Sequence, residues 1–205
     1  NYLQELKKMV GKLVSIHDFA PFPFPSDMVI NGNIYARELE YKSLDTRARF
    51  LLGTEYILLR EEFTGIGKRR LDKKVKRILV TVGGGDPLNL TPRILQALSN
   101  LSNLADNPFI SRDELKLHVI IGPAFKNLEE IITVAKDLQM TTAFHFNIRR
   151  ISDLMVIADL AISAGGSTLY ELAACGTPAI AILQAENQVQ GAEALAEKGT
   201  VVNLG

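Results

Sequence analysis

Beyond residue 76 the chain alternates short apolar runs with amphipathic stretches. Runs rich in Val, Ile and Leu at 77–82, 117–121, 142–146, 160–163, 178–183 and 200–203 predict strands. Helix-period patterns fill 92–104, 127–138, 151–158, 168–175 and 188–198. Strands that are apolar throughout, each separated from the next by a helix, belong to a parallel sheet covered on both faces. With right-handed crossovers, the expected fold class is α/β, a doubly wound parallel sheet. Thr91-Pro92 reads as an N-cap followed by proline at the first helical position.

The first 76 residues follow a different pattern. Apolar runs at 13–16 and 28–31 predict short strands. Between them, Pro21-Phe22-Pro23-Phe24-Pro25 can be neither helix nor central strand. A helical stretch is expected around 39–49, and 52–76 reads as a hinge. Two strands and a Pro-rich loop do not make an independent core, so this part is expected to be the tail of a longer domain. The expected division is therefore 1–60 as that remnant, 61–76 as a linker and 77–205 as the doubly wound domain.

Composition adds exclusions. No apolar run approaches the roughly 18 residues of a membrane span, and the N-terminus lacks the apolar core of a signal peptide. The one cysteine, Cys175, excludes an internal disulfide and gives no metal framework. An intracellular, cytoplasmic protein fits best. The net charge of zero hides an asymmetry. Residues 1–77 hold 15 Lys and Arg against 10 Asp and Glu; residues 78–205 hold 8 against 13. The basic excess, mostly at 68–77, reads as a solvated linker. No aromatic or groove-reading residues accompany it, so nucleic acid is not an expected partner.

Two glycine clusters carry the candidate chemistry. Gly83-Gly84-Gly85-Asp86-Pro87 follows a predicted strand and precedes a predicted helix. It lets backbone approach a ligand with no Cβ in the way, or simply makes a tight turn. It is not a P-loop, since no Gly-Lys-Ser/Thr follows, and it lacks the dinucleotide spacing. The second, Gly165-Gly166-Ser167-Thr168, sits between the 160–163 strand and the 168–175 helix. Bare amides at a helix start attract phosphate. One turn in, Glu171 can accept from a ribose diol, or close a capping box back to Thr168. Together they read as a site for a nucleotide diphosphate, in particular a nucleotide-sugar. Asn187 and Gln188 suit sugar hydroxyls, because amides donate and accept at once; Asn187 also fits an ordinary N-cap.

The histidines are scattered. His118 and His145 lie in predicted strands and read as structural, while His17 stands beside Asp18 at a strand end, where it could act on a substrate. Cys175 reads as a packed small apolar residue. No Ser-His-Asp arrangement or metal-ligand spacing is present, and no metal or cofactor is expected.

In order, the chain reads GGGDPxNLT, a strand ending Ile121-Gly122-Pro123, ADLAISAGGSTLYELAACGTP and Glu186-Asn187-Gln188. With LLREEF at 58–63, Asp18 and the run at 28–31, this resembles the UDP-sugar hydrolases of pseudaminic acid biosynthesis and the related spore-coat polysaccharide biosynthesis proteins. The glycine-serine-threonine-glutamate block is shared more widely, including with the glucosaminyl transferase that makes the peptidoglycan lipid precursor. The resemblance implies a two-domain glycosyltransferase B-type fold with the donor nucleotide in the C-terminal domain. It implies that Gly165, Gly166, Ser167 and Thr168 hold the diphosphate and that Glu171 binds the ribose. The backbone at Asn147 and Ile148 would read the uracil edge, Asn187 and Gln188 would approach the sugar, and Gly84 and Gly85 would border the cleft. The family's catalytic half carries an early glycine-rich loop with a histidine, a motif these residues do not contain. No catalytic residue is therefore assigned, and this stretch alone is expected to be inactive or nearly so. The implied activity is hydrolysis of a UDP-sugar, with inverting glycosyl transfer or non-catalytic nucleotide-sugar binding as alternatives.

Overall fold

In the computed structural model the chain forms two compact units, Asn1–Leu59 and Arg60–Gly205. The structure describes residues 2–69, 71–100, 108–110 and 114–205. The first unit contains a helix α1 (Tyr2–Met9) and three strands, β1 (Val14–Ile16), β2 (Met28–Asn31) and β3 (Arg49–Leu52). They form one parallel sheet in the order β1-β2-β3. Phe24, Val29, Tyr35 and Ala36 are buried in this unit. Asp27, just before β2, pairs with Lys7 of α1 and accepts from the Leu13 amide at 2.7 Å.

The helix expected at 39–49 is not there. Phe24 instead bridges Ser43 in parallel, Asp45 makes a turn, and β3 begins at Arg49. Short polar side chains outcompete the helix locally. Ser43 Oγ accepts from the Asp45 amide at 3.1 Å, and Asp45 Oδ1 accepts from the Arg47 amide at 2.9 Å. At the end of β1, His17 Nδ1 accepts from the Phe19 amide at 3.0 Å, with the rings of Phe22 and Phe24 against its edge. At the end of β2, buried Asn31 donates to the Asp18 carbonyl and the Tyr41 hydroxyl and accepts from Asn33.

The second unit is a six-stranded sheet with every neighbouring pair parallel. Its strands are β4 (Arg77–Thr81), β5 (Lys116–Ile121), β6 (Thr141–Phe146), β7 (Leu160–Ala164), β8 (Ala179–Ile182) and β9 (Val201–Asn203). The spatial order is β6-β5-β4-β7-β8-β9. The intervening helices are α2 (Leu90–Ser99), α3 (Leu128–Lys136), α4 (Ser152–Ile157), α5 (Thr168–Ala174) and α6 (Val189–Glu197). Residues 101–104, the end of the predicted 92–104 helix, lie outside the described residues. Ile78, Val80, Leu117, Val119 and Ile121 form one core with Leu95 and Leu98 of α2 and Ile131 of α3. The alternate residues Leu79 and Ala161 are also buried, and α4 and α5 pack on β4 and on β7 and β8. This is the doubly wound α/β fold.

Helix ends follow from local chemistry. Gly176 (φ +64°) ends α5 in a Schellman motif: its amide meets the Ala173 carbonyl at 3.0 Å, and the Thr177 amide meets Leu172 at 3.0 Å. Thr91, expected as an N-cap, lies inside α2 with its hydroxyl buried and unpartnered among the described residues. Asp86 does the capping instead, accepting from the Leu90 and Thr91 amides at 2.7 and 2.8 Å. A carboxylate supplies two acceptor oxygens and a negative charge where the helix end is positive.

Within 61–76, the stretch expected as a linker, three points are fastened to the second unit. Phe63 is buried. Arg69 donates to the Ala158 carbonyl and pairs with Asp159 at 3.1 Å. The other Asp159 oxygen accepts from the Lys76 and Arg77 amides at 3.0 and 2.9 Å, fastening the segment to the head of β4.

His118 and His145 meet across β5 and β6, Nδ1 to Nε2 at 2.9 Å, with stacked rings. Burial, then the neighbouring imidazole, Arg77 and Lys116, push His118 below its ordinary value; burial does the same to His145. The folded chain therefore refuses protons that the unfolded chain takes up near 6.5. Stability is full above that unfolded value and falls as pH drops through it toward the depressed folded values. Replacing both histidines with glutamine is expected to flatten the denaturation midpoint between about pH 7 and pH 5. An unchanged slope in urea titrations would contradict this assignment.

Candidate functional site

The strand order reverses between β4 and β7. In a doubly wound sheet the loops leaving such adjacent strands diverge to opposite faces and open a crevice at the strands' C-terminal ends. The two loops here are the two glycine clusters, 83–85 after β4 and 165–167 after β7.

Their donors differ. The amides that open α2 are already taken by the Asp86 carboxylate, which also accepts from Asn127 Nδ2 at 3.1 Å. An anion placed there would meet a charge of its own sign. At α5, Ser167 holds the N-cap position and makes no side-chain cap bond. Among the described residues, nothing accepts from the amides of Gly166, Ser167 or Thr168, while Gly165 directly follows the last β7–β8 pair, Ala164 with Ile182. The second loop therefore presents unpaired donors where the first presents a carboxylate.

Close approach explains two glycines. A Cβ on Gly122 would sit 2.5 Å from the Gly84 carbonyl oxygen and 2.6 Å from that of Gly83. The Gly84 carbonyl also accepts from the Ala124 amide at 2.9 Å, so the first loop is anchored against the end of β5. A Cβ on Gly165 would lie 2.4 Å from Leu183 Cδ2 and 3.1 Å from Gln188 Cβ. Gly85 lies against Ala124.

Gln188 packs directly on the 165–166 backbone, and its Oε1 accepts from the Gln184 amide at 2.8 Å. Gln184 Nε2 donates to the Val82 carbonyl at 3.0 Å. The ends of β4, β7 and β8 are thereby joined through Gln184. Nothing in the sequence marks this residue except its place directly after an apolar strand.

Glu171 is not in a capping box, because Thr168 is already inside the helix and the Glu171 carboxylate faces Arg60 at 3.1 Å. Asn187 is exposed within the short turn Glu186–Gln188, and no side-chain cap bond opens either that turn or α6, so the N-cap reading does not hold. Asn147 and Ile148 follow the outermost strand, β6, away from the glycine loop in strand order. Asn147 is exposed and left-handed (φ +49°), a conformation asparagine tolerates better than most residues. The structure thus brings Gly165, Gly166 and Gln188 into contact and leaves Asn147, Ile148 and Asn187 on separate loops.

Burial, with the nearby Glu171 and Glu62 charges, pushes the Cys175 thiol up to about 11, as expected of a packed and unreactive side chain. Among the described residues no group of three or more His, Cys, Asp or Glu can hold a metal ion. Nor is any helix among them long and apolar enough to cross a membrane.

Residues 77–204 match the glycosyltransferase family 28 C-terminal domain, and the chain belongs to that family. It is 30% identical over 182 residues to the spore coat polysaccharide biosynthesis protein SpsG of Bacillus subtilis, covering 88% of this chain and 50% of the relative. It is 28% identical over 203 residues to the uncharacterized protein MJ1062 of Methanocaldococcus jannaschii, covering 92% and 39%. The chain thus spans half or less of these curated relatives. Among solved structures it resembles Acinetobacter baumannii MurG, with TM-score 0.66, 18% identity and coverage of 98% of this chain and 55% of that one. It also resembles the glycotransferase of kitacinnamycin, with TM-score 0.53, 17% identity and coverage of 87% and 42%. These structural likenesses speak to the fold, that of a glycosyltransferase B-type C-terminal domain.

Gly122→Ala tests how tightly the first loop is anchored. Backbone carbonyls cannot yield as a flexible side chain does, so stability is expected to fall by about 3 kcal/mol. Urea denaturation reads the change, and a loss under half a kilocalorie would mean the loop moves freely.

Proposed function

We propose that the second unit holds the nucleotide diphosphate of a UDP-sugar and that the protein uses this donor in building a surface polysaccharide. The observation that carries this is the set of unpaired amides at 166–168, at the strand-order reversal, with the Glu171 carboxylate one turn further on. Family membership and the polysaccharide role in the name of the Bacillus relative support it.

In this reading Gly165, Gly166, Ser167 and Thr168 donate to the diphosphate, and Glu171 accepts from the ribose. The backbone at Asn147 and Ile148 meets the uracil edge, Asn187 and Gln188 approach the sugar, and Gly84 and Gly85 border the cleft. Glycosyl transfer is the reaction class. An acceptor oxygen attacks the anomeric carbon and the bond to the β-phosphate oxygen breaks. The electron pair leaves with UDP, and the acceptor proton passes to a base. Charge growing on the leaving phosphate is met by the 165–168 amides, an electrostatic contribution that needs no reorganisation. Hydrolysis, with water in place of the acceptor, is the second reading. It rests on the resemblance carried by 83–87 and 58–63.

Calorimetric titration with UDP, using ADP and NAD as controls, tests the donor site. Selective UDP binding is expected, and a folded chain that binds none of them would overturn the reading. Glu171→Ala is expected to weaken UDP by about 1.5–3 kcal/mol, the cost of losing a hydrogen bond to a charged group, with the melting temperature held.

A further inference from the structure

Glu171 is held before any ligand arrives. Its Oε1 takes the side edge of the Arg60 guanidinium, Nη2 at 3.1 Å and Nε at 3.4 Å. Among the described residues, the hydrogen bonds and ion pair of this carboxylate all fall on Oε1. Arg60 is held in turn: Nη1 pairs with Glu62 Oε1 at 2.7 Å, and the guanidinium lies 5.3 Å from the Phe63 ring centre. Glu62 Oε2 accepts from the Ser152 amide at the first residue of α4, at 3.1 Å. Both carboxylates are largely sheltered, Glu171 at 15% and Glu62 at 9% side-chain exposure. Burial raises the Glu62 carboxyl, but the Ser152 amide and the Arg60 and Arg150 charges outweigh it and hold it below its ordinary value.

We propose that Arg60 is a positioning residue for nucleotide recognition, locking Glu171 through one oxygen so that the other faces the ribose diol. The proposal rests on Glu171 being the ribose acceptor. A free glutamate populates many rotamers and must give up that freedom on binding; one already fixed does not. Only a planar fork serves two carboxylates along two edges at once, so lysine is a poor substitute. Glu62 extends the hold to the first residue of α4, the helix that follows the 147–148 loop.

The test compares UDP with 2′,3′-dideoxy-UDP, which lacks the diol, by calorimetry on the wild-type chain, Arg60→Gln, Arg60→Lys, Glu62→Gln, Glu171→Gln and the double variant Arg60→Gln/Glu171→Gln. The wild type is expected to prefer UDP by about tenfold or more, as losing a hydrogen bond to a charged group implies. Arg60→Gln is expected to lower that preference nearly to the level of Glu171→Gln, and the double variant to lose no more than Glu171→Gln alone. Arg60→Lys and Glu62→Gln fall between, the latter loosening Arg60 without touching Glu171. Arg60→Gln that keeps the full wild-type preference, or binds UDP more tightly, overturns the proposal; the second result would make Arg60 a competitor of the ligand. A wild type that binds no UDP, or binds both nucleotides equally, overturns the nucleotide reading beneath it. Thermal melts of each variant separate loss of fold from loss of positioning.

Discussion

A parallel sheet that reverses its strand order once has a single place where adjacent loops part, and the second unit is organised around it. β4 and β7 lie side by side, yet their helices pack on opposite faces. The gap at their C-terminal ends follows from the right-handedness of the crossovers. What the gap can bind depends on how the amides at its rim are used. Asp86 consumes those of α2, while those at the start of α5 remain unpaired. An anion would meet unpaired donors on one side of the crevice and a carboxylate on the other.

The surroundings keep this asymmetry in place. Gly122 presses the first loop against β5, and Gln184 spans from β8 to β4 while holding Gln188 on the second loop. Arg69, Asp159 and the 76–77 amides tie the incoming segment to the sheet's central strand. Arg60 and Glu62 then carry that segment's charges to α5 and α4. Arg69 and the Lys76 and Arg77 amides, in a stretch that looks in sequence like a basic, solvated connector, are thus part of the framework behind the candidate site.

Much of the second unit was legible because its strands are apolar on both faces and its glycines punctuate them, a pattern that survives without alignment. Boundaries at β4 to β9 moved by a residue or so. The first unit was harder. Arg49–Leu52 is too short and too close to a polar turn to announce a strand, and Ser43 and Asp45 spoil a helix that the preceding spacing suggested. Cap assignments failed where a longer-range carboxylate beat a local hydroxyl, as Asp86 did Thr91. The glycine loop and Glu171 were readable as a local motif. Arg60, 111 residues from Glu171 in sequence, was not, because nothing in a one-dimensional pattern signals such a pairing.

On the proposed function, the amides at 165–168, and not those of α2, receive the diphosphate. The most direct measurement is an amide nitrogen–proton correlation spectrum of the isotope-labelled chain, followed through a titration with UDP. The signals of Gly165, Gly166, Ser167 and Thr168 are expected to move together and saturate, while those of Leu90 and Thr91 stay with Asp86 and hardly shift. Movement centred on Leu90 and Thr91, with 165–168 silent, would contradict it.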